Sequence, residues 1–235
     1  MMSRRHICGS LALAAPFVAG AARAQAPECQ VFTKDRQAAI TPAGALARLK
    51  AGNERFVAGK SINCDLMAQV KATATGQAPH ACIVGCIDSR VPPELVFDQR
   101  IGDVFAARIA GNFVNTDIIG SLEFGTKLAG AKLIVVLGHS NCGAIRGAVD
   151  GAKLGLLTAT LANIKPAVTA NASFAGDKTS KNGAFVQAVA DSNAKLAVKM
   201  LTDRSAVLKG LVDAKQLLIV AAMHDLSTGK VSFFA

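Results

Sequence analysis

Two short stretches of the chain hold most of its chemically capable side chains. The first reads Cys86-Ile87-Asp88-Ser89-Arg90-Val91-Pro92-Pro93-Glu94, and the second Gly138-His139-Ser140-Asn141-Cys142-Gly143-Ala144. Cys86, His139 and Cys142 together offer two thiolates and one imidazole. That donor set suits Zn2+, and three protein ligands leave the fourth tetrahedral position free for a water or substrate. The His-x-x-Cys pair alone is a weak signal, and a lone buried cysteine is ordinarily a small hydrophobe, which is the reading for Cys82. Asp88 and Arg90 stand two residues apart in a proline-rich loop. They form either a structural clamp or a working pair, in which Arg90 keeps Asp88 ionised and able to accept a hydrogen bond beside the metal.

Each stretch begins where an apolar run ends. Ala81–Cys86 and Lys132–Leu137, the latter closed by Gly138, read as strands buried on both faces. A further strand is expected at Val104–Ile109. Thr41-Pro42 has the form of an N-cap followed by proline in the first turn, opening a helix that Gly59 ends. Asp117 is expected to cap a helix running to about Leu128. Helical patterns follow near 155–170 and 183–203, with a polar link at 175–182. Gln216–Met223 and Val231–Phe234 flank a Ser227-Thr228-Gly229-Lys230 turn, the pattern of a hairpin. Residues 27–40 read as an irregular arm and 60–80 as a polar loop. Alternating strands and helices define an α/β fold: a mainly parallel central sheet with an antiparallel C-terminal edge strand, helices on both faces and an extended N-terminal arm. In such sheets, sites form beyond the carboxyl ends of strands, where both stretches lie.

Residues 1–26 have the layout of a secretory signal: Arg4, Arg5 and His6, an apolar stretch from Ile7 to Ala22, then small residues for cleavage. Ser3-Arg4-Arg5 also suggests twin-arginine export. The apolar stretch is short for a membrane span and carries Gly9 and Pro16, so no membrane anchoring is expected after cleavage. One domain, 27–235, then remains, secreted or periplasmic. Of six cysteines, five lie beyond residue 26, an odd number that cannot all pair within the chain. Cys29 and Cys64 lie outside both motifs and are candidates for a disulfide. The formal charge of +10 comes from lysines and arginines scattered singly; no basic run is interleaved with aromatics, so no nucleic-acid partner is expected. His80 and His224 are read either as proton relays or as core histidines.

Taken together, Cys-x-Asp-Ser-Arg-Val-Pro-Pro-Glu and, some fifty residues later, Gly-His-Ser-x-Cys-Gly-Ala resemble the β-class carbonic anhydrases. Gly52–Phe56, Gly102–Phe105, Arg108–Asn112 and Asp225–Lys230 share the resemblance, which therefore covers roughly residues 41–235. It implies zinc ligands at Cys86, His139 and Cys142 and a catalytic dyad of Asp88 and Arg90. It implies a substrate-binding glutamine at Gln77 and a backbone position lining the pocket at Gly143, with Val91 and Phe105 in the apolar walls. Ser140 and Asn141 are read as support for the ligands or as turn residues. The implied activity is reversible hydration of carbon dioxide to bicarbonate and a proton by hydroxide generated on zinc, in a homodimer or tetramer with its clefts at a dimer interface. Carbon disulfide or carbonyl sulfide hydrolysis, and non-catalytic zinc binding, are the alternatives. Two positions depart from the family pattern. Ile83 stands where members with a bicarbonate switch carry Trp, which favours an open site, and Ile87 stands where Ser is usual.

Overall fold

The structure is a computed structural model that describes residues 29–234; the proposed leader, 1–26, lies outside the described residues. Among the described residues five strands form one sheet: β1 (Ala81–Gly85), β2 (Val104–Arg108), β3 (Leu133–His139), β4 (Leu218–His224) and β5 (Val231–Phe233). Their order is β2-β1-β3-β4-β5. Three pairings are parallel, and β4–β5 is antiparallel. Chain order therefore reverses direction at β1: β2 lies on one side of it and β3 on the other. The crevice beyond the carboxyl ends of β1 and β3 is the topological switch point of the sheet.

The central strands are buried along their whole length because helices cover both faces. On one face Ala81, Ile83, Leu133, Val135 and Leu137 pack with Leu49 of α2 (Pro42–Val57) and with Val96 of α4 (Pro93–Val96). On the other, Cys82, Val84, Ile134 and Val136 meet α5 (Thr116–Glu123), α9 (Gly183–Arg204) and α10 (Ala206–Asp213). The alternation is the period-2 pattern of a strand. A third cluster, built on α6 (Gly143–Val149), α7 (Leu157–Ala162), α8 (Lys165–Ala170) and α9, includes Cys86 and Cys142. No helix among the described residues is long and apolar enough to cross a membrane.

Several elements differ from the sequence expectation. The N-terminal arm is not irregular throughout: Lys34–Ala39 form α1, capped by the Thr33 hydroxyl, which accepts from the Arg36 N–H. The 60–80 loop contains α3 (Leu66–Thr73), capped by Asp65. Asn115, not Asp117, caps α5, which continues as a π-helical turn over Phe124–Leu128. β3 runs on through His139 instead of ending at Gly138. The Cys29–Cys64 disulfide, in contrast, is the pairing the sequence offered, and it ties the arm to the segment before α3.

Candidate metal centre

Cys86 follows the last residue of β1, His139 is the last residue of β3, and Cys142 is the N-cap of α6. Because β1 and β3 are adjacent and parallel, their carboxyl ends deliver the first two side chains to one place. A tight turn through Asn141, at φ +54°, returns the third. Asn141 tolerates this left-handed conformation better than most residues. The three ligand atoms lie within 4.8 Å of one another, and all three residues are buried.

The ring of His139 is set for this use. Its Nδ1 lies 2.9 Å from the Ser140 carbonyl oxygen, which can only accept, so Nδ1 carries the proton. Nε2 is thereby left with a lone pair, and it has no hydrogen-bond partner although buried. A buried nitrogen left without a partner is costly unless something else satisfies it, and a cation between it and the two sulfurs does so. The sulfurs are themselves coupled. Cys142 hydrogen-bonds Cys86 and pulls its pKa down to about 4, helped by His139 and by the backbone N–H groups of Gly111 and Asp88 against the effect of burial. The same contact, with burial, pushes Cys142 up. A soft donor set with a thiolate already favoured fits zinc.

Asp88 stands beside this cluster, its Oδ2 3.8 Å from His139 Nε2. Arg90 grips it with two side-chain hydrogen bonds, Nε to Oδ1 at 2.9 Å and a terminal nitrogen to Oδ2 at 2.7 Å, and with its backbone N–H at 3.0 Å. Those bonds hold the carboxyl well below the usual carboxylate range. Asp88 is therefore a fixed acceptor, turned toward Arg90. At Gly143 an added Cβ would meet nothing within 4 Å, so the space beside the cluster is open.

Not every expected site residue arrives here. Gln77 is exposed and precedes the amino end of β1, whereas Cys86 follows its carboxyl end; about 15 Å of strand lies between them. Gln77 instead borders a separate hollow with Thr73 and Gly102. Val91 is fully buried in the core under α2, and Phe105 packs on Phe124, so neither lines a wall of this chain's own cluster. Ser140 serves the cluster through its carbonyl, while its hydroxyl accepts from the Leu226 N–H. The Asn141 side chain accepts from Arg146. His80 is a core residue. His224 is buried and in register with His139 on the neighbouring strand.

Arg108 and Gly111 carry functions that spacing did not reveal. Arg108 donates to the carbonyls of Cys86 (2.9 Å) and Asp88 (2.6 Å), clamping the loop between the ligand and the carboxylate. The register Gly85↔Arg108 makes this possible, and no sequence signal encodes that register locally. The Gly111 N–H donates to Cys86 Sγ at 3.3 Å. At φ +85°, and with Ile164 2.5 Å from where a Cβ would sit, only glycine fits there.

Fold and site together define an α/β protein with a Cys-His-Cys cluster able to hold a metal ion at the switch point of its sheet. A family model described as carbonic anhydrase matches residues 81–231. Over 117 residues the chain is 44% identical to carbonic anhydrase 2 of Mycobacterium tuberculosis, a match covering 49% of this chain and 56% of that protein. It is 30% identical over 167 residues to a carbonic anhydrase of Pseudomonas aeruginosa, covering 68% and 76%. Among solved structures, it superposes with a TM-score of 0.62 and 26% identity on one of two tetrameric β-carbonic anhydrases from Sordaria macrospora, covering 72% and 90%. The chain belongs to the β-class carbonic anhydrase family. Against relatives such as the mycobacterial protein, it spans about half their length.

Proposed function

We propose that this protein catalyses the reversible hydration of carbon dioxide to bicarbonate and a proton, with zinc held by Cys86, His139 and Cys142. The observation that carries the reading is the convergence of those three donor atoms, with the unpartnered Nε2 among them, beside a carboxylate locked by Arg90. Zinc, when bound, supplies Lewis acidity that lets a water ionise near neutral pH. The protein's own groups supply the rest. Asp88 accepts a hydrogen bond from the nucleophile and orients it. Arg90 and Arg108 hold Asp88 in place, one by its carboxylate and the other by its carbonyl. The Ser140 carbonyl fixes the His139 tautomer. The bare Gly143 leaves room for a small, flat substrate.

The working form is a dimer or a tetramer of this chain, a reading supported by the tetrameric relatives. In it Gln77, distant from its own chain's cluster, contributes to the cleft of a second copy. The protein is exported and its leader removed. The Cys29–Cys64 disulfide supports an oxidising compartment.

Stopped-flow hydration of carbon dioxide by the zinc-loaded protein tests the activity. Asp88→Asn should lower the rate by about 100-fold or more while one zinc per chain is retained. Equal rates in both proteins, or none in either, would refute the mechanism. Preferential turnover of carbonyl sulfide would favour the hydrolase reading, and zinc without turnover the binding one. Intact mass of protein recovered from the periplasm tests removal of the leader.

A further inference from the structure

A cavity of about 620 Å3 opens between the N-terminal segment, α2 and the loop from α4 to β2. It lies at the amino end of the sheet, away from the metal centre. Four arginines line it, Arg36, Arg48, Arg55 and Arg100, and Asp98 is the one acid among its lining residues. Arg55 and Arg100 both spend an N–H on the Asp98 carboxylate, at 2.5 and 3.0 Å, and the Ile62 N–H also donates to it at 3.2 Å. Arg48 pairs with the buried Asp103 at 3.0 Å. Arg36 has no ion pair among the described residues. Its guanidinium lies 4.9 Å from the Phe32 ring centroid, and that of Arg48 lies 5.2 Å from the same centroid. Four guanidiniums thus share two carboxylates, and the terminal nitrogens of Arg36 and Arg55 have no protein acceptor among the described residues.

The fold imposes this concentration of charge. Arg48, Gly52 and Arg55 are spaced i, i+4 and i+7, so they occupy one face of α2. That face is pressed against the loop: a Cβ at Gly52 would lie 1.8 Å from the Phe97 carbonyl oxygen. The loop answers with Asp98 at φ +47°, a left-handed conformation that aspartate tolerates better than most residues. Like charges held this close repel, and a bound anion relieves the repulsion. Guanidinium forks match tetrahedral oxyanions in geometry as well as charge. The excess of two positive charges calls for two negative ones, and the volume beside Phe32 leaves space for an organic substituent.

We propose that this cavity is a binding site for a doubly charged oxyanion of the phosphate class, either free phosphate or a phosphomonoester. The site is independent of the metal centre. Isothermal titration calorimetry of the full zinc-loaded chain with inorganic phosphate, at low and constant chloride, tests it, and phenyl phosphate in a second arm separates the two sources. The wild type and Arg90→Gln should bind one phosphate per chain. Arg36→Gln should bind about tenfold more weakly or worse, with its melting midpoint in phosphate-free buffer unchanged. Arg36→Lys keeps the charge without the fork and should fall between them, which keeps the test decisive if Arg36→Gln folds poorly. Tighter binding of phenyl phosphate would identify the ester as the preferred form, and equal or tighter binding of inorganic phosphate the free ion. No saturable binding to the wild type, unchanged affinity in both Arg36 variants, or loss of binding in Arg90→Gln alone would overturn the proposal.

Discussion

Cys82 and Cys86 are four residues apart and differ through their surroundings. Burial in the sheet pushes the Cys82 thiol up to about 12, so it stays protonated and inert, whereas its neighbour at the strand end has hydrogen-bond donors to stabilise a thiolate. The same logic governs His80. Burial lowers its pKa from the ordinary 6.5 to about 4, against a hydrogen bond with Gln99 that raises it. In the window between those values the unfolded chain binds a proton that the folded chain refuses, so stability rises with pH. The contribution is complete above pH 6.5 and is lost as pH falls toward 4. Urea unfolding should show about 2 kcal/mol less stability at pH 5 than at pH 7 from this residue. His80→Gln should remove that share of the slope; an unaltered slope would show that His80 is not its source.

Among the elements, α1 and α3 invert the usual pattern. The fully buried residue of α3 is Gln69, while Leu66, Met67 and Val70 face outward; in α1 it is Gln37. Gln69 donates to the Cys29 carbonyl, and the Ile101 N–H donates to Gln69; Gln37 donates to the carbonyls of Pro79 and Ala129. These helices are therefore docked by amide hydrogen bonds and by the Cys29–Cys64 crosslink more than by an apolar stripe. The disulfide closes a separation of 35 residues, so removing it should cost about 3–4 kcal/mol by the chain-entropy account. The Cys29→Ser/Cys64→Ser double variant should melt about 6–15 °C lower by calorimetry while keeping its zinc. A midpoint equal to that of the wild type would mean that the amide contacts alone hold the arm.

For the whole molecule, the open side of β2 and the displaced Gln77 both point outward from a single chain. β2 is an edge strand with partly exposed residues, and Phe124, which packs on Phe105 of that strand, is itself exposed. Sedimentation velocity should give a mass of two or four chains. Ala106→Asp, placed on that exposed strand, should shift the protein to monomer, keep one zinc per chain and lose hydration. An active monomer would remove Gln77 from the cleft.

The motifs at 86–90 and 138–144 singled out Cys86, His139, Cys142 and the Asp88–Arg90 pair, which the fold brings together, because metal chemistry restricts which side chains are usable and short spacing fixes local partners. The strands and α2 were equally legible, since their apolar runs and caps are local signals. The short helices were not: α1 and α3 bury glutamines, and periodicity counts only apolar residues. Nor could spacing place Arg108 on the carbonyls of Cys86 and Asp88, press Gly52 against Phe97, or put Gln77 at the wrong end of β1 for its own site. Those follow from strand order and register, which are long-range pairings that no local stretch of sequence encodes.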